Sequence, residues 1–218
     1  MDRSKLLLIG GAAVVLIVII AVFVTSMGGP AQSIRPGYGQ GQQNGLGLAQ
    51  GQGYGTGGAG ENIPVLQPLT DTAPLTTTES GDILFIREEE QLAHDLYTRW
   101  YGMYSIPVFS NIAASETMHV NEVQLLIDRY GLQGNRIGNA STGYHNATIQ
   151  SLYTSLTAQG DSSLTAALEA SLAVEERDIA DLDHALAGTT RADIIQVYSN
   201  LRRGSENHKS AFLRQLGR

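Results

Sequence analysis

The chain has no cysteine. That excludes disulfides, thiolate metal sites, iron–sulfur clusters and a lipid-modified cysteine anchor. It leaves the compartment open, because a protein without thiols is indifferent to redox state. The chain also has no surplus of positive charge. Its 14 Lys and Arg stand against 21 Asp and Glu, a net charge of −7 with a pI near 5.1. Phosphate backbones need a basic face, so nucleic acid is not an expected partner. No stretch alternates with the period of a strand over useful length, and the glycine-rich stretches lack the strand-to-helix setting of a phosphate-binding loop. What remains is a chain of 218 residues whose 42% hydrophobic content is unevenly spread. That is room for one folded domain with attachments.

Leu6 to Met27 is an uncharged, mostly apolar run. At about 22 residues, or roughly 33 Å as a helix, it is long enough for a bilayer core. Arg3 and Lys5 precede it and the next basic residue is Arg35, so the positive-inside rule puts the N-terminus in the cytoplasm and the rest outside. A cleaved signal peptide has a shorter apolar region ending at a small-x-small site, which Thr25-Ser26-Met27-Gly28-Gly29 fits poorly. Residues 1–27 are therefore expected to be a single-pass anchor contacting the lipid bilayer through residues 6–27. Residues 28–62, rich in Gly and Gln and poor in aliphatic residues, cannot bury a core and read as a flexible tether. A span of about 35 such residues reaches roughly 30–35 Å.

Residues 63–218 form the folded part, and from Asp82 the pattern is helical. Four long segments are expected, from Asp82 to Tyr101, Phe109 to Tyr130, Ser163 to Leu186 and Arg191 to Leu216. Ser162 or Ser163 is the N-cap of the third, and Thr190 with Asp193 has capping-box spacing at the fourth. Between the second and third lies a long crossover, Gly131 to Ser162, with a short helix near Ile149 to Leu156. An all-α four-helix bundle with a long crossover between helices 2 and 3, as in ferritin-like folds, suits this layout.

The residues sharing each buried stripe carry the chemistry. Leu168, Leu172, Glu175, Ile179, Leu182 and Leu186 follow the 4-3-4-3-4 spacing of a core seam. In the second segment the seam is Ile112, Glu116, His119, Val123, Leu126 and Tyr130, with Glu116 and His119 three apart on one face. In the fourth it is Leu201, Ser205, His208 and Phe212. In the first, Ile86, Glu90, Ala93, Tyr97 and Trp100 make a seam, and the phase Phe85, Glu89, Leu92, Leu96 is almost as good. A seam Glu alone is as often turned outward or paired with Arg, and a seam His alone is more often a satisfied core residue. A buried ionised carboxylate is costly unless it is paired or holds a metal, so four coincident interruptions point to metal. Oxygen and imidazole donors without sulfur suit iron or manganese, with zinc next.

Glu88-Glu89-Glu90-Gln91-Leu92-Ala93-His94-Asp95-Leu96-Tyr97 resembles the first helix of a ferritin-like family known only as a domain of unknown function. Phe109 to His119, Glu175 to Leu182, and Gly204 to His208 with Ala211-Phe212 resemble its other three helices. The resemblance covers about residues 83–216, and the second-helix motif is its most specific part. More distantly, Glu90 with Ala93 and Tyr97, Glu116 with His119, and Glu175 with Asp178 are similar to the ligand helices of rubrerythrins. That resemblance implies metal ligation by Glu90, Glu116, His119, Glu175, Asp178 and His208. One position departs from the pattern: a standard di-iron bundle has Glu-x-x-His on its fourth helix too, and here the Glu position is Ser205. Glu206 points about 160° away from His208 on a regular helix.

Two functions follow as expectations. One is a di-metal carboxylate protein, iron or manganese, oxidising Fe(II) or reducing oxygen or peroxide. The other is a non-enzymatic tethered binding or surface module with a structural or vestigial metal site; a homo-oligomer is open in either case. His94 is expected off the seam, facing solvent or supporting a ligand, and His145 and His184 on the surface. Asp95, Arg99 and Arg129 are either orienting partners of ligands or solvated charges. Asn139-Ala140-Ser141 and Asn146-Ala147-Thr148 have the form of glycosylation sequons in the crossover.

Overall fold

The structure, a computed structural model, describes residues 64–69, 71–132 and 138–218. The expected anchor and tether lie outside the described residues. Among those described there is no helix long and apolar enough to cross a membrane, and there is no named strand, only an isolated bridge between Asn139 and Gly143. The fold is all-helical: α1 Thr77–Tyr104, α2 Pro107–Arg129, α3 Ala147–Gly160, α4 Leu164–Ala187 and α5 Ala192–Gln215.

Local chemistry sets the boundaries. Helix α1 starts at Thr77, earlier than the expected Asp82, because Thr76 and Glu79 form a reciprocal capping box. It ends at Ser105, which takes a left-handed conformation (φ 54°) and donates its N–H to Tyr101 O. Ile106 precedes Pro107 and is therefore extended, while Pro107 opens α2 at a position where no N–H is needed. Ser163 caps α4 by accepting from Ala166 N. The expected box at α5 does not form. Arg191 is the N-cap without a side-chain cap bond, and Asp193 instead accepts from Arg129 (2.9 Å) and Tyr130 (2.8 Å). A buried ion pair with α2 outcompetes the local cap.

Helix α1 packs on α2 and α4, α5 packs on α4 and α2, and α3 lies against α1 and α4. The crossover helix is longer than expected, and it approaches α1 so closely that a Cβ at Gly160 would lie 2.3 Å from the Trp100 ring. Buried Glu88 pins the crossover by accepting the backbone N–H groups of Gly138 (2.6 Å), His145 (2.8 Å) and Asn146 (2.7 Å). At the opposite end Arg191 donates to the carbonyls of Asp71, Ala73 and Pro74 and to Glu79, strapping residues 71–76 to the α5 start.

The core comes in two apolar layers. One gathers Leu92, Leu96, Tyr97, Trp100, Phe109, Ala170, Val174 and Phe212. The other gathers Ile83, Ile86, Val123, Leu126, Leu182, Val197, Tyr198 and Leu201. On every long helix buried polar residues stand between the two layers: Glu89 and Glu90 on α1, Glu116 and His119 on α2, Glu175 and Asp178 on α4, Ser205 and His208 on α5.

Candidate metal centre

Each helix delivers its polar residues to this middle layer through the same seam that buries its aliphatic ones. Glu116 lies at its centre. One carboxylate oxygen is 2.8 Å from Nδ1 of His119, and the other is 2.8 Å from Nδ1 of His208. Beyond His119 stands Glu90, whose Oε2 accepts from the same Nδ1 at 3.1 Å. Beyond His208 stands Glu175, whose Oε2 is 3.5 Å from that Nδ1. The order is thus Glu90, His119, Glu116, His208, Glu175. Donor atoms of Glu116, His119 and His208 all lie within 4.8 Å of one another, and all three side chains are buried. His208 Nδ1 makes no hydrogen bond although Glu116 is so close, because the N–H direction misses the oxygen. Glu90 Oε1 and Asp178 Oδ1 are likewise buried without a hydrogen-bond partner. Donor atoms left without a partner in a buried layer are what a cation position needs.

The electrostatics agree. Burial pushes the Glu90 carboxyl up to about 7, against the pull of His119. Burial and the charge of Glu116 raise Glu175 as well. Burial works against the charge of Glu116 too, but the two imidazoles hold it well below the usual carboxylate range. Against the downward pull of burial, Glu116 and Glu175 hold His208 up at about 10, and Glu116 with Glu90 hold His119 well above its ordinary value. The imidazole rings stack at 5.3 Å. Protons on both rings side by side are favoured by the carboxylate that reaches both.

Five of the six residues expected as ligands are linked through the two imidazoles, and the sixth, Asp178, lies in the same buried layer with one oxygen unpartnered. It accepts from the Ser205 hydroxyl, which also bonds to Leu201 O at 3.0 Å, and burial with the nearby Glu90 and Glu89 raises its pKa strongly. Of the two α1 alternatives, Glu89 pairs with Arg177 at 3.1 Å and Glu90 faces His119. His94 is half-buried beside Asp95 (3.0 Å), away from the layer, and His145 and His184 are exposed. Asp95 holds the crossover through Ala140 N and the Tyr144 hydroxyl, Arg99 pairs with Asp161, and Arg129 pairs with Asp193. None of the three orients a residue of the layer. Asn146 caps α3 and Asn139 shapes its own turn. Three further residues take part in contacts that the sequence did not assign, Tyr97 among them although it was read as part of the α1 seam. Tyr97 donates to Glu175 Oε1 at 2.5 Å, Ser115 Oγ lies 2.9 Å from His208 Nε2, and Gly204 faces the His119 ring. Tyr97 carried a signal as a seam residue and Gly204 as a glycine inside a helical pattern, and Ser115 carried none.

Residues 79–218 match the model of an uncharacterized protein domain family, DUF2202. The chain belongs to that family. A DUF2202 domain thus contains all of the polar layer. The chain is also similar to the uncharacterized protein MJ0754 of Methanocaldococcus jannaschii, 38% identical over 144 residues, which are 66% of this chain and 77% of that protein. The crystal structure of hypothetical protein MJ0754 from Methanococcus jannaschii aligns with a TM-score of 0.64 at 36% identity, covering 67% of this chain and 84% of that one.

Proposed function

We propose that this chain is a ferritin-like carboxylate–histidine metalloprotein whose middle layer takes two divalent cations, iron or manganese, on either side of Glu116. Glu90 with His119 and Glu175 with His208 would hold the cations, with Glu116 between the two pairs. The observation that carries this reading is the reach of Glu116, with each oxygen 2.8 Å from a different imidazole Nδ1. Carboxylate and imidazole donors match the preferences of these metals. The reaction that suits a pair of iron ions is the oxidation of two Fe(II) to two Fe(III), with the two electrons and two protons reducing O2 to H2O2 or H2O2 to water. Residues 6–27 anchor the domain, with the N-terminus cytoplasmic and residues 63–218 outside. Elemental analysis of the purified protein with its visible absorption tests the reading. About two metals per chain is the expected result, and a metal-free protein that also fails to take up Fe(II) or Mn(II) would remove it.

One observation favours a second reading. Asp178 is engaged by Ser205, where a standard di-iron bundle has a fourth-helix carboxylate. On that reading the layer holds a structural metal, and the domain is a tethered binding module. Metal uptake without oxygen or peroxide consumption distinguishes it.

A further inference from the structure

An imidazole offers a cation only the nitrogen that has lost its proton, so a histidine site must control which nitrogen that is. The two histidines of the layer are handled alike. Each turns Nδ1 toward Glu116, at 2.8 Å in both cases. Each turns its other edge toward the neighbouring helix. His208 stands on α5, and its Nε2 lies 2.9 Å from Ser115 Oγ on α2. His119 stands on α2, and its Nε2 edge lies against α5 at Gly204, where a Cβ would come within 2.3 Å of Nε2 and 2.5 Å of Cε1. The arrangement is reciprocal, since each helix sets the back of the other's histidine.

We propose that Ser115 and Gly204 are positioning residues that make both histidines present Nδ1 to the layer: Ser115 by accepting the Nε2–H of His208, Gly204 by leaving room for the His119 ring. This rests on the metal reading above. A serine hydroxyl suits the first task because its oxygen accepts one proton and turns to do so, which leaves Nδ1 as the nitrogen free to ligate. The second task needs a residue without a side chain. An alanine within a helix is ordinarily stabilising relative to glycine, so a loss on Gly204→Ala identifies the ring contact as its cause.

The test uses the full chain labelled with 15N-histidine, as wild type, Ser115→Ala, Ser115→Thr and Gly204→Ala, with and without Zn(II) as a diamagnetic probe. Without metal, the His208 Nε2 proton is expected to be protected from exchange in the wild type and in Ser115→Thr, and lost in Ser115→Ala. With Zn(II), the wild type is expected to show both Nδ1 resonances shifted by coordination. Ser115→Ala is expected to bind roughly 10- to 100-fold more weakly and Ser115→Thr to recover the affinity. An unchanged Nε2 proton and unchanged affinity in Ser115→Ala overturn the role of Ser115. If the wild type takes up none of Zn(II), Fe(II) and Mn(II), the metal reading fails, and the protected proton alone decides the Ser115 contact. Gly204→Ala is expected to move the His119 resonances and leave those of His208 in place; unmoved His119 resonances overturn the role of Gly204. Should that variant not fold, adding His119→Ala restores folding if the ring contact is the cause, and a double variant that stays unfolded overturns it.

Discussion

Glu116 carries the most consequence of any single residue, because two imidazole rings lean on one carboxylate. A cation that binds only the folded state stabilises it by about 2.7 kcal/mol at a hundredfold excess over its dissociation constant, which for a domain of this size is roughly 5–10 °C in Tm. Chelation of the metal-loaded protein is expected to lower Tm by that amount. Glu116→Ala is expected to abolish the difference, and His184→Ala, on the exposed end of α4, to preserve it; calorimetry of the three proteins with and without chelator decides. The protons follow a definite sign. Folding raises His208 from 6.5 to about 10, so the stability its proton contributes is complete below pH 6.5 and disappears as pH climbs toward 10. Glu90, pushed up from 4.5 to about 7, is favoured neutral and loses in the same direction. The metal-free protein should therefore melt progressively lower above pH 6.5. Metal must displace these protons, so its apparent affinity should rise about tenfold per pH unit for each proton released. Titration calorimetry at pH 6 and pH 8 measures this, and a pH-independent affinity would contradict it. At this scale the sequence was informative where a residue interrupts an apolar seam, as Glu90, Glu116, His119, Glu175 and His208 do. It was silent on Ser115, whose role depends on which helix faces it, it placed Tyr97 on the seam without its partner Glu175, and it could not show that one oxygen of Asp178 meets Ser205.

Among the elements, the helices were legible from their 3.6-residue period, and the errors lay at their ends and between them. Thr76 with Glu79 extends α1 through a box that the apolar pattern does not register. Asp193 offers a plausible cap and is taken by Arg129 instead, a long-range competition that local spacing cannot show. The crossover depends on Glu88, which lies in a run of three glutamates where periodicity says little about the residue that turns away from the layer. Three backbone N–H groups end on its carboxylate. Leaving a buried donor unsatisfied costs about 1–3 kcal/mol, so Glu88→Ala is expected to destabilise strongly. Amide exchange should quicken around residues 138–146 well before it quickens in α4 or α5. Equal acceleration everywhere would mean that Glu88 supports the whole fold rather than this segment. Thr76→Ala removes one half of the α1 box and should cost about 0.5–2 kcal/mol in denaturant titrations, without altering metal content.

For the molecule as a whole, the change in composition near residue 63 is the ground for expecting residues 63–218 to fold without what precedes them. Expressed alone, they are expected to be monodisperse with a helix-dominated circular dichroism spectrum, and a dominant strand signal would be incompatible with α1 to α5. On the proposed orientation, protease added to intact cells removes the domain, and sparing it until lysis would reverse the topology. The division of the core into two apolar layers with charge between them has one more effect, which concerns which structures the chain does not form. Aliphatic seams are forgiving, because sliding one helix past another by a turn, about 5.4 Å, exchanges one leucine contact for the next. Here the same slip would carry Glu90, Glu116, His119, Glu175 or His208 out of the layer they share and into contact with Leu96, Phe109 or Leu201, where an unpaired charge is costly. Replacing the whole layer with leucine and isoleucine should therefore raise the melting temperature while broadening the NMR spectrum, as the helices begin to sample alignments that the charged layer forbids.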